Sequence, residues 1–372
     1  MKKGYYIIFG TNNNLSHNTN NGVEKKIVEQ VNSLNVPGML ECKLFVFKNI
    51  KTNYFFKLFI YLFSDQFKEY DLFNEKLDFV YIRRFIPVNK GLIEFVKKIK
   101  KYNPECIVLY EIPTYPYDQE HKSFKEKVVL FIDKIYRSKL KDYVDRIVTL
   151  SNDDYIFNIK TIKIINGINC KNIPLIQYKN GDKKNINLIA VAQFAFWHGY
   201  ERLIKGLYLY YKNNNNNTWN VKIHFVGNGI ELSKYKDLVI KYNLEKHVSF
   251  YGALHGSELD KVFNSSDIGI GSLASHRKNL YLSSELKSRE YLARGLPIVV
   301  STKIDCLPND YKYCLYVPED ESPISIEKII EFYCNIFQQD DNNKVIKEIR
   351  EFAERNIDIK ITMKPVIDYI IN

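Results

Sequence analysis

The chain is poor in the features that would make a protein disulfide-stapled or membrane-spanning. Its six cysteines (Cys42, Cys106, Cys170, Cys306, Cys314, Cys334) stand singly, with no CxxC pair and no metal-ligand spacing. That argues against a disulfide framework and reads as buried free thiols in a reducing compartment. No stretch reaches the roughly 18–20 apolar residues needed to span a bilayer. The richest, Tyr54 to Phe63, is ten residues long and is interrupted by Lys57. The opening MKKGYYIIFGTNNN holds too few apolar residues before its Asn run to act as a secretory signal, and reads as a first strand. Together these absences predict a soluble or peripheral protein of the cytoplasm.

What is present is enough for a full core: 372 residues, 45% hydrophobic and 26% charged, which excludes a disordered chain. At roughly 100–200 residues per domain the length predicts two domains, with a cleft between them as the expected site. The 54 Lys+Arg against 43 Asp+Glu leave a formal net charge of +11. Nucleic acid, an anionic membrane and an anionic small substrate would each account for it.

Apolar strand-like runs alternate with helical stretches along most of the chain, the pattern of α/β domains with parallel sheets. Tyr5 to Phe9 is followed by a polar loop, Gly22 and a helix in which Val23, Ile27, Val31 and Leu34 recur at helical spacing. That order aims helix amides at the sheet's C-terminal edge, which makes Gly22 a candidate donor-site residue or an ordinary turn glycine. The polar YKNGDKKNIN at 178–187 is the best domain boundary. It divides an N-terminal domain (1–180) from a C-terminal one (187–355), with residues 356–372 expected to pack back on the first.

The segment Ser283 to Val300 reads as a polar loop, a short helix, a Gly-Leu-Pro break and a buried strand. A nucleoside diphosphate needs helix N-terminal amides and a cation for its phosphates, and a carboxylate one turn further on for its ribose hydroxyls. Ser283, Ser284, Glu285 and Leu286 would supply the amides, Lys287 or Arg202 the cation, and Glu290 the carboxylate. The bland alternative for Glu290 is a solvated charge on an exposed face.

This segment resembles the donor-site helix of GT-B glycosyltransferases, in particular retaining family 4, whose pattern is Ser-Pro-Leu-Lys-x-x-Glu-Tyr-hydrophobic-Ala-x-Gly-x-Pro. Phe225-Val226-Gly227-Asn228-Gly229 resembles that family's Val-Gly-x-Gly turn, and Ser249 to Gly252 its Phe-x-Gly strand. Ile189 to Gln193 with Trp197 to Gly206 resembles the segment of the basic phosphate clamp. Arg146 to Ser151 and Ile164 to Asn169 resemble its Val-Ser and Pro-Asn-Gly-Val-Asp signposts. These matches keep family order from about residue 4 to 305. The resemblance implies an α/β GT-B fold, two Rossmann-like domains facing across a cleft. It also implies a nucleotide sugar as substrate, with no cofactor.

On that resemblance the donor site comprises Gly22, Gly199, Arg202, Lys205, Gly227, Asn228, His255, Ser284, Glu285, Leu286, Lys287 and Glu290, with Arg202, Lys205, Glu290 and Glu111 as the catalytic set. Arg202 is preferred over Lys205 because a guanidinium grips two phosphate oxygens at once, and Gly199 permits close approach of backbone to phosphate. The family's glutamate eight positions before Glu290 is replaced by Leu282, leaving Glu285 as the nearest carboxylate, and Gln193 stands where the family's Gly-Arg is expected. No DxD triplet of the metal-dependent GT-A type is present, so leaving-group stabilisation is expected from cations and helix amides, without metal. Glu111, at the end of the strand Cys106 to Tyr110, would bond the sugar or acceptor, or serve as a strand-end support. His121 is the nearest histidine to it; His198 and His255 are the others of interest, and His276-Arg277-Lys278 is either a source of positive potential or a flexible basic loop.

Residues 45–101 interleave aromatics and cations (FVFKNIKTNYFFKLFIYLF, YIRRF, FVKKIKKY). They suit docking on an anionic membrane, unless Phe55, Phe59 and Phe63 belong to the core. No nucleic-acid module is recognisable, so nucleic acid is set aside as a partner. The expected function is transfer of a hexose-type sugar from a UDP- or GDP-sugar to a glycan or lipid-linked glycan in surface polysaccharide synthesis. An inactive GT-B binding partner and a nucleotide-sugar epimerase stay open as alternatives.

Overall fold

The computed structural model describes residues 1–10, 22–48, 53–63, 67, 75–118, 123–177, 184–213, 219–337 and 341–372. The chain forms two units: Met1–Ile165 together with Thr362–Asn372, and Asn166–Ile361. The division falls ahead of the polar 178–187 segment, of which residues 178–183 lie outside the described ones. The physical reason is that the stretch after Ile165 is already bonded into the second unit. Asn166 Nδ2 donates to the Ser284 carbonyl at 2.7 Å, Ile168 N–H to Ile357 at 2.9 Å and Ile176 N–H to Arg294 at 3.0 Å.

The first unit runs β1 (Lys2–Gly10), α1 (Gly22–Ser33), β2 (Leu40–Lys48), α2 (Tyr54–Phe63), β3 (Phe79–Arg83), α3 (Lys90–Tyr102), β4 (Ile107–Ile112), α4 (Phe124–Arg137), β5 (Arg146–Thr149), β6 (Tyr155–Ile156) and β7 (Ile159–Lys163). Its sheet has the order β2-β1-β3-β4-β5-β7-β6 and is parallel except for the β6–β7 hairpin. That hairpin turns on Phe157 and Asn158, both at positive φ (53° and 62°), as a two-residue turn of this hand requires. Covered on both faces, the central strands read as continuous apolar runs such as Phe79-Val80-Tyr81-Ile82. The Asn89 side chain accepts from Leu92 N–H to start α3, and Ser123 with Glu126 forms a capping box on α4.

The second unit continues with β8 (Asn185–Val191), α5 (Tyr200–Asn213), β9 (Asn220–Val226), α6 (Leu232–Lys241), β10 (Val248–Phe250), α7 (Gly256–Phe263), β11 (Ile268–Ile270), β12 (Leu282–Ser283), α8 (Leu286–Ala293), β13 (Ile298–Val300), β14 (Lys303–Ile304), β15 (Cys314–Tyr316), α9 (Ile326–Phe337) and α10 (Asn342–Asn356). The main sheet is wholly parallel in the order β10-β9-β8-β11-β13-β15. Counted from β8 this is 3-2-1-4-5-6, the doubly wound order of dinucleotide-binding sheets. Leu188, Ala190, Ile223, Phe225, Ile268 and Ile270 of the sheet pack with Tyr200, Leu203 and Leu207 of α5 in its core.

After α11 (Ile359–Thr362), α12 (Lys364–Ile371) belongs to the first unit. There Lys2 Nζ donates to the Ile370 carbonyl, and the Arg146 guanidinium lies 4.8 Å from the Tyr369 ring centre. Phe55, Phe59 and Phe63 are exposed, so the reading of these residues as core is overturned. Only Ile60 and Tyr61 of α2 are buried, because a single face of that helix meets the unit.

Candidate active site

In doubly wound sheets ligands bind beyond the strands' carboxyl ends where the strand order reverses, here between β8 and β11. The two loops leaving these strands are joined. Leu273 N–H donates to the His198 carbonyl at 2.9 Å, and Gly199 sits at φ +63° so close to the other loop that a Cβ would lie 2.6 Å from that of Ala274. Gly199 therefore owes its identity to loop packing and a left-handed turn that opens α5.

The first turn of α8 is held rigidly at the same edge. Arg289, fully buried, donates from Nε to the Asn166 carbonyl, from Nη1 to Glu285 O at 3.0 Å, and from Nη2 to Ser284 Oγ at 3.2 Å and to Asp305. Sequence reading missed this strut, since an Arg beside Glu290 gives no sign of facing inward. Glu285 accepts from Ser272 Oγ at 2.7 Å, from Ser272 N–H at 3.3 Å and from Ser288 Oγ. Both its oxygens are engaged in stitching the β11 loop to the helix start, so it is not free to replace the glutamate absent at Leu282, which is itself exposed. Ser284 and Leu286 are half-buried, and the first amides of α8 have no partner within the helix.

Lys287 projects from this turn. Its Nζ donates to Tyr200 Oη at 3.2 Å and lies 3.8 Å from Glu285 Oε2. Burial pushes its pKa down while the Glu285 charge pulls it up, and the downward effect prevails. His198 stacks on the same Tyr200 ring (centroids 5.5 Å apart, 13° between planes). Its Nδ1 accepts from Ala195 N–H at 3.0 Å, which leaves the neutral ring's proton on Nε2. Burial, then the Lys287 and Lys278 charges, hold its pKa down at about 2, so it stays a neutral donor. The sequence signal for His198 was its place immediately before the glycine that opens α5. The site thus combines two helix N-termini, an ammonium and an imidazole N–H, a set of donors suited to a diphosphate.

Arg202 is placed otherwise than the sequence suggested. It is 1% exposed, with Nε donating to Ser322 O at 2.8 Å, Nη1 to Leu273 O, and Nη2 to Pro318 O at 2.9 Å and Asp320 Oδ1 at 3.1 Å. With every nitrogen of its fork on a carbonyl or carboxylate, it braces loops 273 and 318–322 instead of gripping phosphate. Lys205 is half-buried and about 7.5 Å further along α5 than Tyr200. The basic triplet is ordered and paired: His276 and Arg277 contact Glu321, Arg277 also Glu201 at 2.6 Å, and Lys278 lies 4.4 Å from the Trp197 ring centre.

Glu290 is half-buried, and its Oε1 accepts from Arg294 Nε at 3.1 Å and Nη2 at 3.0 Å. Its Oε2 takes no hydrogen bond among the described residues, so the carboxylate is oriented with one oxygen free. Gly227 is at φ +129°, where a Cβ would run into the Ala192 carbonyl, and Phe194 N–H donates to Asn228 O at 2.6 Å. That glycine turn zips the β8 and β9 loops together. His255 is exposed, at the N-cap of α7.

Glu111 belongs to the core of the first unit. It is 1% exposed and accepts from Tyr6 Oη at 3.1 Å, Lys26 Nζ at 3.3 Å and Arg83 Nη1 at 3.2 and 3.1 Å. Burial alone would raise its pKa, but the charges of Arg83 and Lys26 and the Tyr6 bond bring it to about 2. It is a buried hub joining β1, β3, β4 and α1, a support in place of a catalytic group. Gly22 opens α1; the loop before it and His121 lie outside the described residues.

Residues 174–307 match the family model described as Glycosyl transferases group 1. No curated protein matches the chain. Among solved structures it is similar to a glycosyltransferase from Rickettsia africae (13% identity, 99% of this chain and 97% of that one, TM-score 0.61) and to the lipopolysaccharide outer core galactosyltransferase WaaB (15%, 100% and 99%, 0.59). It is also similar to HepE of Anabaena in complex with UDP and glucose (12%, 100% and 99%, 0.57). Parallel sheets, strand order and these likenesses agree: the chain has the GT-B fold, and within it residues 174–307 are similar to the glycosyl transferases group 1 model.

Proposed function

We propose that the protein is a glycosyltransferase that moves a hexose-type sugar from a UDP-sugar, or a GDP-sugar, to a glycan or lipid-linked glycan acceptor in surface polysaccharide synthesis. The observation that carries this is the convergence of Lys287, His198 Nε2–H and the first turns of α5 and α8 at the switch point of a doubly wound sheet. Glu290 stands one turn along α8 with an oxygen free for the ribose. As the bond from sugar to diphosphate breaks, negative charge grows on the leaving phosphate, and these fixed donors stabilise it. The bond forms to the acceptor oxygen on the same face as its proton passes to the departing diphosphate, with retention and without metal. HepE, of the same fold, is solved with UDP and glucose, which favours UDP. Acceptor binding falls to the first unit, and the protein works in the cytoplasm, on the inner face of the plasma membrane.

A panel of nucleotide sugars with hydrolysis as readout tests this: one donor should be hydrolysed, and Glu290→Ala should abolish it in a folded protein. Leu282, exposed in place of the family's glutamate, favours a second reading, a binding partner that keeps the fold without the chemistry. Tight UDP binding with no turnover of any donor would select it.

A further inference from the structure

We propose that α2 and α4 form a single docking surface for an anionic lipid bilayer. The two helices lie side by side and parallel. Tyr54 Oη donates to the Lys125 carbonyl at 3.0 Å near their starts, and Tyr136 Oη to the Leu62 carbonyl at 2.9 Å near their ends. Each turns an apolar stripe outward. On α2, Phe55 (82% exposed), Phe59 and Phe63 recur every fourth residue, with Phe56 beside them. On α4, Phe124 (82%), Phe131 and Ile135 stand at i, i+7 and i+11, again one face. Single exposed apolar residues are ordinary, but six phenylalanines on two adjoining helices are a contiguous patch of the kind that marks an interaction site.

Charge complementarity names the occupant. Lys57 is the sole charged residue of α2, and among the described residues Lys90 donates to the Phe63 carbonyl, Lys125 lies 5.4 Å from the Tyr54 ring centre and Lys139 5.0 Å from that of Tyr136. Glu126, the exposed acid of α4, is engaged in capping its own helix. Aromatic rings within a cationic rim match an interface of acyl chains beneath anionic headgroups. At ten residues α2 is about 15 Å long, half a bilayer core, so it lies along the surface; no helix among the described residues is long and apolar enough to cross. The surface extends beyond residues 45–101 to α4, and it stands independently of the glycosyl-transfer reading.

Flotation of the full chain with vesicles of equal parts phosphatidylcholine and phosphatidylglycerol tests it. Binding is expected to these vesicles, with a loss of at least about tenfold on pure phosphatidylcholine or in high salt. Phe55→Ser with Phe59→Ser and Phe131→Ser should lower it at least about tenfold while circular dichroism and melting temperature hold, since all three side chains are exposed. Lys57→Glu with Lys125→Glu should weaken binding to the anionic vesicles only. Wild-type protein that stays unbound at low salt overturns the proposal, as does a triple-serine variant that floats equally well. A dimer in sedimentation that those serines dissolve, without vesicle binding, assigns the face to a second copy and overturns it too.

Discussion

Lys287 and Arg202 separate two kinds of cation, and exchanging each for alanine exposes the difference. Lys287 Nζ is held by a tyrosine hydroxyl and a carboxylate at 3.8 Å. A phosphate charge about 4 Å away would interact with it by about 4 kcal/mol at an effective dielectric near 20. Desolvation takes back part of that, leaving a loss of about ten- to a hundredfold in kcat/KM for Lys287→Ala. Its melting temperature should change little. Arg202→Ala instead strands the carbonyls of Leu273, Pro318 and Ser322, at about 1–3 kcal/mol for each that stays buried and unpaired. Its first symptom should be a lowered melting temperature. The assays are donor hydrolysis, titration with UDP and thermal melting on both variants. An Arg202→Ala protein of unchanged stability that fails to bind UDP, beside a Lys287→Ala protein of normal activity, would refute this division of labour.

Glu290→Gln keeps the shape of the side chain but weakens its grip on both Arg294 and a ribose, so the donor KM should rise about tenfold or more; an unchanged KM would remove the ribose assignment. Glu111 has a folded-state pKa of about 2 against 4.5 for the free group. Its ionisation therefore stabilises the first unit fully above about pH 4.5, and the stability fades as pH falls toward 2, by about 3 kcal/mol in all. Urea titrations at pH 7 and pH 3 should show about 2 kcal/mol of that loss, and Glu111→Gln should be less stable at pH 7 with a flatter profile; parallel profiles would refute the buried-hub role. His198, neutral throughout the working range, should contribute no inflection near its ordinary value of 6.5 to the pH dependence of kcat/KM, and an inflection there that His198→Gln removes would count against it. Gly227→Ala should lower stability without touching any ligand group, because its Cβ meets the Ala192 carbonyl at a φ that side chains avoid.

Local pattern carried the elements that are strongly periodic or continuously apolar. The run Leu188 to Val191 is a buried strand wherever it folds, and the helix after it shows its face through Leu203 and Leu207. The Leu286–Ala293 helix was legible for the same reason, since a polar loop, a short helix and a Gly-Leu-Pro break are local events, whereas Glu290 was singled out only by its resemblance to a family motif. The domain division was misplaced because turn composition at 178–187 is visible in sequence, whereas the bonds of Asn166, Ile168 and Ile176 to residues more than a hundred positions away are not.

The amino-acid sequence alone determined the alternation of strands and helices, the glycine turns and the chemical types available at the candidate site. Which cations are tied up in bonds to their own loops and which stand at the sheet's switch point was decided only by tertiary structure. A charged side chain takes its role from its partners, and those of Arg202, Arg289 and Glu111 come from distant loops and strands. The absence of a long apolar run was equally legible from the start, and it excluded a spanning helix. That Tyr54 to Phe63 turns its phenylalanines outward beside those of α4 follows only from which face of a helix the rest of the unit leaves uncovered.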